Sequence, residues 1–218
     1  MKIKYSTFVG KIKERDRMEN QIKFAKNVLL LDVAFIHGML GRIRQFMSER
    51  LGRQLPDIDL SAWLTCLVLD AGIRGDKNEV QVLLLHDGEE QRVDFCQPSD
   101  LKSLDGMACR TSLGEFAFSC VTSADIVSSE ALFVDLMTLA LDSSDVKCLM
   151  LLPCHEKYAS LLEKEICSLL DGKEKEMTEK LLYFTMAGSM SPLPCRCDSV
   201  VHSLIRVWDI RPEELKPL

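Results

Sequence analysis

Apolar positions along this chain recur with two periods that alternate from segment to segment. Residues 27–32, NVLLLD, hold four consecutive apolar residues that stop at the carboxylate of Asp32. A short apolar run of this kind reads as a strand buried on both faces. Leu60, Trp63, Leu64, Leu67, Val68 and Ala71 then fall at three-and-four spacing behind Asp59, which predicts a helix capped by Asp59 and stopped at Gly72. Residues 80–85, VQVLLL, read as a second buried strand, and the polar HDGEEQ after them as a turn around Asp87-Gly88. Residues 115–121, EFAFSCV, alternate as a strand does. Ser128 or Ser129 caps a helix with Leu132, Phe133, Leu136, Met137 and Ala140 on one face. Another apolar strand, residues 146–152, leads through PCHEK into a helix carrying Tyr158, Leu161, Leu162, Ile166, Leu169 and Leu170, which ends near Asp171-Gly172. A strand at residues 181–187, a loop GSMSPLPCRC and a last helix over residues 198–208 complete the pattern.

Strands that are apolar throughout and alternate with amphipathic helices predict an α/β fold, a three-layer α/β/α arrangement on a mainly parallel, Rossmann-like sheet of about five strands. The strand that ends at Asp32 belongs in its interior. In such sheets sites gather beyond the carboxyl ends of the strands, where the strand order reverses. Asp32, His86-Asp87 and the loop at residues 153–157 are expected at that edge, with Asp135 in the first turn or two of the helix before the 146–152 strand.

Composition bounds the class. At 218 residues and 47% hydrophobic, the chain can bury a full core, expected as one α/β domain over residues 27–218 whose last part, about 188–218, is a loop and a helix. No apolar run reaches the length of a membrane span, and the first residues lack a signal-peptide core, so a cytoplasmic protein without a membrane partner is expected. Nine cysteines, mostly single within apolar stretches, read as reduced thiols. Net charge is −6, but residues 1–26 carry eight lysines and arginines against three carboxylates, which is +5 and leaves −11 for the remainder. Arg42, Arg44, Arg50 and Arg53 form a second basic cluster. These features read either as a solvated face or as a surface for phosphates or another anionic partner. Met18 is an alternative start that would remove much of the first one.

The order of elements resembles the PIN-like fold, and within it the NYN branch of metal-dependent ribonucleases. NVLLLD supplies the first acid, Asp32. ALFVDLMTLALD supplies the second, Asp135, and VKCLMLLPCHEKY occupies the third place, with Tyr158 where the family has an aromatic residue. The resemblance implies magnesium or manganese held by Asp32, Asp135 and a third acidic group, and RNA as substrate. The third motif departs from the family. His155 and Lys157 stand where two aspartates are expected and only Glu156 remains acidic, whereas these hard cations require several carboxylate oxygens. Lys157 is further expected to neutralise a neighbouring carboxylate. The resemblance therefore implies a degenerate, non-catalytic PIN/NYN-like domain without a cofactor, with a binding or regulatory role on RNA or a protein partner. Arg42 and Arg44 of the basic cluster, with His155 and Lys157 of the third motif, are the expected binding residues. Two alternatives stand beside it: a metal-dependent ribonuclease using Asp32, Asp135 and Glu156, and an unrelated Rossmann-like domain acting in protein interaction.

Each of these residues also has a plainer role. Asp32 fits a helix cap, Asp135 a solvated helix carboxylate, and Glu156 a first-turn acid favoured by the helix dipole. Cys195 and Cys197 form a C-x-C pair with His202 five residues on, and with Cys154 they are candidates for a zinc set of irregular spacing. Gly38, Gly41 and Gly52 make no phosphate loop.

Overall fold

The computed structural model describes residues 23–89, 92–123, 127–186 and 192–215. Most of the basic amino-terminal segment, with Met18, lies outside the described residues. Strands β1 (Asn27–Asp32), β3 (Asn78–His86), β6 (Gly114–Thr122), β7 (Cys148–Leu152) and β8 (Leu181–Thr185) stand where the apolar runs predict them. Together with β5 (Ala108–Thr111) and β9 (Arg196–Ser199) they make a seven-stranded sheet ordered β5-β6-β3-β1-β7-β8-β9. Only β5 is antiparallel, paired with β6. A separate parallel pair is formed by β2 (Ile58–Asp59) and β4 (Cys96–Gln97).

The expected count of about five strands is thus low by the two edges. The sequence Arg196-Cys-Asp-Ser has no apolar run, and β5 is nowhere fully buried. An edge strand covered on one side at most carries a weak hydrophobic period, so β9 reads as loop in sequence and the helix after it begins at Val200 rather than at residue 198.

β1 is central because it is apolar on both faces. Leu29 and Leu31 face a layer containing Trp63, Leu64 and Leu67, whereas Val28 and Leu30 face a layer containing Phe133, Leu162 and Ile166. Burying each such side chain contributes about 1.5–3 kcal/mol. The first layer is built from α1 (Val33–Phe35), a π-helical turn (Ile36–Leu40), α2 (Gly41–Leu51), α3 (Leu60–Asp70) and α8 (Val200–Val207). Trp63 Nε1 donates to Ser203 Oγ at 2.9 Å and ties α3 to α8. The second layer is α5 (Ser129–Asp142) and α6 (His155–Leu170). Two short helices, α4 (Leu101–Leu104) and α7 (Lys175–Lys180), complete the described set.

Local signals end these helices where the sequence places them. Asp59 accepts from the Ala62 amide at 3.0 Å and Ser128 from the Ala131 amide at 3.3 Å. Gly114 starts β6 at φ +135°, and a Cβ there would lie 2.1 Å from the Asn78 carbonyl oxygen. Only glycine permits that approach.

Candidate functional site

The six parallel strands, taken in chain order, run 3-2-1-4-5-6 across the sheet, so the order reverses between β1 and β7. At this point the chain leaves β1 towards one face and β7 towards the other, which in open α/β sheets leaves a crevice beyond the strand ends. Asp32 closes β1 and the residues from Pro153 onward leave β7, as the sequence predicts.

Here the crevice is filled. Asp32 is 1% exposed. Its Oδ1 accepts from the Ala34 amide at 2.8 Å and caps α1, while its Oδ2 accepts a short hydrogen bond from the Tyr158 hydroxyl. Tyr158 reaches it by leaving helical geometry inside α6, at φ −151° and ψ 21°. Its ring packs against Phe133 at 5.6 Å between centroids. Burial, and then the negative charge of Asp32, raise the Tyr158 pKa, so the proton stays on the phenol and the phenol is the donor.

His155 sits beside this pair. Its Nε2 donates to the Phe184 carbonyl at 2.8 Å, because a carbonyl only accepts, and its ring lies edge-on to Phe35 and tilted against Tyr183. Nδ1 is therefore an acceptor, and it is buried with no hydrogen-bond partner among the described residues. Burial lowers the His155 pKa, with the bond to Phe184 opposing it, and keeps the ring neutral. Glu156, in the first turn of α6, pairs with Arg42 of α2 across the side of Gly38, where a Cβ would come within 3.2 Å of Glu156 Oε2.

The expected partner of the carboxylates, Lys157, is thus replaced in both places. Tyr158 satisfies Asp32 and Arg42 satisfies Glu156, while Lys157 stands exposed on the rim of a shallow pocket of about 250 Å³ shared with Glu130, His155 and Ser160. Asp135 is exposed on α5. That helix starts at the carboxyl edge and runs back along the sheet, so its seventh residue lies about 9 Å along the axis from its start. Among the described residues no group of three or more His, Cys, Asp or Glu side chains is arranged to hold a metal ion. Asp32, Asp135 and Glu156 therefore do not fit a magnesium or manganese centre in this arrangement. The zinc set is not brought together either. Strand alternation sends Asp198, with its His202 partner at 3.0 Å, to one face of β9 and the cysteines to the other.

Next to the filled crevice is an open cleft of about 510 Å³ lined by His37, Arg42, Arg44, Gln45, Gln54 and Phe95. Its wall includes the π-helical turn, a geometry that recurs at functional sites. Arg44 Nε donates to the Leu55 carbonyl at 2.9 Å, its guanidinium pairs with Asp57 at 3.3 Å, and it covers the Phe95 ring at 5.3 Å. Phe95 holds a left-handed φ of +61°. Gly41 allows its close approach, since a Cβ there would be 2.8 Å from the ring. His37 Nε2 lies 2.7 Å from the Arg92 carbonyl. Arg42 and Arg44, predicted as binding residues, therefore share one cleft, and His155 and Lys157 share the neighbouring pocket. Arg53 points elsewhere, to Glu214 at 3.2 Å.

Sequence reading missed Phe95, His37 and Gln54. No periodic or motif signal marks them, because their place depends on how the segment around β4 folds over α2. His86 ends β3 and the chain bends after Asp87, where a turn is expected, with the Glu89 amide donating to Asp87 at 3.0 Å. Among the described residues no helix is long and apolar enough to cross a membrane. Residues 21–215 match a family of unknown function (DUF6621). No curated protein and no solved structure matches the chain.

Proposed function

The chain belongs to this family of unknown function, and from that premise we propose that it is a non-catalytic, PIN/NYN-like α/β domain that binds single-stranded RNA through the cleft of Arg42 and Arg44. The observation that carries the reading is the engagement of Asp32. The carboxylate at the place where the NYN-type resemblance puts a first metal ligand is buried and already accepts from the Tyr158 hydroxyl and the Ala34 amide. Freeing it for a cation means breaking a charge-assisted hydrogen bond in the interior, which costs about 1.5–3 kcal/mol.

The cleft supplies what a phosphodiester chain needs. Two guanidinium groups stand at its wall together with the exposed amides of Gln45 and Gln54 and the partly buried imidazole of His37, and an aromatic ring lies beneath one of them. The carboxylates now paired with Arg42 and Arg44 are themselves about half exposed. Exposed pairs of this kind are worth about 0–1 kcal/mol, so a phosphate displaces them at little cost.

The test is an electrophoretic binding assay with single-stranded RNA across a salt series, run beside an RNA cleavage assay with manganese. Binding is expected at low salt, with a steep fall as salt rises and a marked loss in the Arg42→Ala/Arg44→Ala double variant. No cleavage is expected. Manganese-dependent cleavage that disappears in Asp32→Asn overturns the non-catalytic reading. Absence of binding at low salt removes RNA and leaves a protein partner for the cleft.

A further inference from the structure

The edge of the sheet farthest from β5 gathers a group of polarisable side chains that the cleft does not use. Alternation along β9 turns Arg196 to the first layer, where its guanidinium donates to the Ala71 carbonyl at 2.8 Å, and turns Cys197 to the second. Cys195, in the bend that enters β9, lies on the same side as Cys197 and packs against the second layer. The register sets Cys197 opposite Tyr183 of β8.

Tyr183 is fully buried, yet among the described residues its hydroxyl has no hydrogen-bond partner. Burial raises its pKa, and Glu163, Cys197 and Cys195 raise it further by their proximity. Cys167, one turn beyond Glu163 on α6, reaches Cys195 electrostatically. Three thiols, a carboxylate and an orphan phenol therefore meet beside an edge strand. A cysteine that only fills core space is buried, as Cys96 and Cys148 are, whereas Cys197 and Cys167 are exposed.

We propose that Cys197 and Cys195 form a peroxide-responsive dithiol, in which exposed Cys197 attacks and Cys195 resolves, closing a C-x-C disulfide at the mouth of β9. Spacing permits the bond. Two residues of extended chain span about 6.6 Å between Cα atoms, within the range of about 4.4–6.8 Å that disulfides bridge. Cys197 Sγ already lies 3.8 Å from the Cys195 carbonyl oxygen.

The roles follow from exposure and hydrogen bonding. Cys197 meets solvent, and the Cys195 thiol supports its ionised form. Burial still holds the Cys197 thiol above its ordinary value and lifts Cys195 to about 12. The reaction is therefore slow at neutral pH and accelerates as pH rises, since the thiolate is the nucleophile. The Cys197 thiolate attacks one peroxide oxygen, the O–O bond breaks, and the departing hydroxide takes a proton to become water, leaving a sulfenic acid. The Cys195 sulfur then attacks that sulfur, the S–O bond breaks, and the hydroxyl leaves with the Cys195 proton as a second water.

Treating the reduced full chain with hydrogen peroxide, then alkylating and mapping residual thiols by mass spectrometry, tests the assignment. The expected result is paired loss of Cys195 and Cys197 with a bond between them, at a rate that increases with pH. Cys167→Ser is expected to leave the bond intact, and Cys195→Ser to stop at a Cys197 sulfenic acid that dimedone captures. A bond from Cys167 to either partner, equal loss of all exposed thiols, or no dimedone adduct at Cys197 in Cys195→Ser overturns it.

Discussion

The filled crevice at the end of β1 and the open cleft beside α2 are neighbours joined by the Arg42–Glu156 pair, and they handle polar groups in opposite ways. In the crevice, Asp32 and Tyr158 are buried among apolar side chains, with the partly buried His155 packed beside them. In the cleft, Arg42 and Arg44 pair with carboxylates that solvent also reaches. The same charged chemistry is structural where it is buried and exchangeable where it is exposed.

The largest effect is expected from Asp32→Ala, which removes the hydrogen bond to Tyr158 and the cap of α1 together. A loss of about 3 kcal/mol is expected in denaturant unfolding. A loss under about 1 kcal/mol would mean that the crevice is not the fastening point. Tyr158→Phe isolates one half of it, since it leaves Asp32 capping α1 but deprives the carboxylate of its phenol. About 2 kcal/mol is expected, with RNA binding unchanged and no manganese-dependent cleavage gained.

Gly41→Ala works on the other side. Its Cβ meets the Phe95 ring at 2.8 Å and must displace it together with the Arg44 guanidinium above. About 1 kcal/mol of stability is expected to go, with a clear weakening of RNA binding, so that function falls further than stability does. Equal effects on both would place the cleft in the structural category.

The smallest expected effect is a pH dependence carried by His155. Burial places its folded pKa below the unfolded value of 6.5, so between the two the unfolded chain binds the extra proton. Stability is then complete above pH 6.5, declines as pH falls below it, and stops declining once the lower folded pKa is passed. Melting temperatures from pH 7.5 to 5 are expected to fall less in His155→Gln, which has no such proton to take up. The same slope in both proteins would remove His155 from the account.

Much of this architecture is legible in the chain because its signals are local. The apolar runs of β1, β3, β6, β7 and β8 each carry their own periodicity, and the caps at Asp59 and Ser128 act within three residues. β5 and β9 escape because a half-covered edge strand needs few apolar residues, and Arg196-Cys-Asp-Ser has one at most. In the site, the position of Asp32 at a strand end is local information. The identity of its partner is not, since Tyr158 lies 126 residues away and reaches it only through a departure from helical geometry.

The sequence alone determined an α/β sheet with a buried central strand ending in a carboxylate, since burial on two faces demands a continuous apolar run and its end must meet polar chemistry. Tertiary structure decided what that carboxylate does. Once the strand order set β7 beside β1, a phenol rather than further acids came to face Asp32, Arg42 took Glu156, and Asp135 was carried down α5 into solvent. Those outcomes depend on which elements become neighbours, and neighbourhood in space is set by the sum of many packing contacts rather than by any stretch of residues.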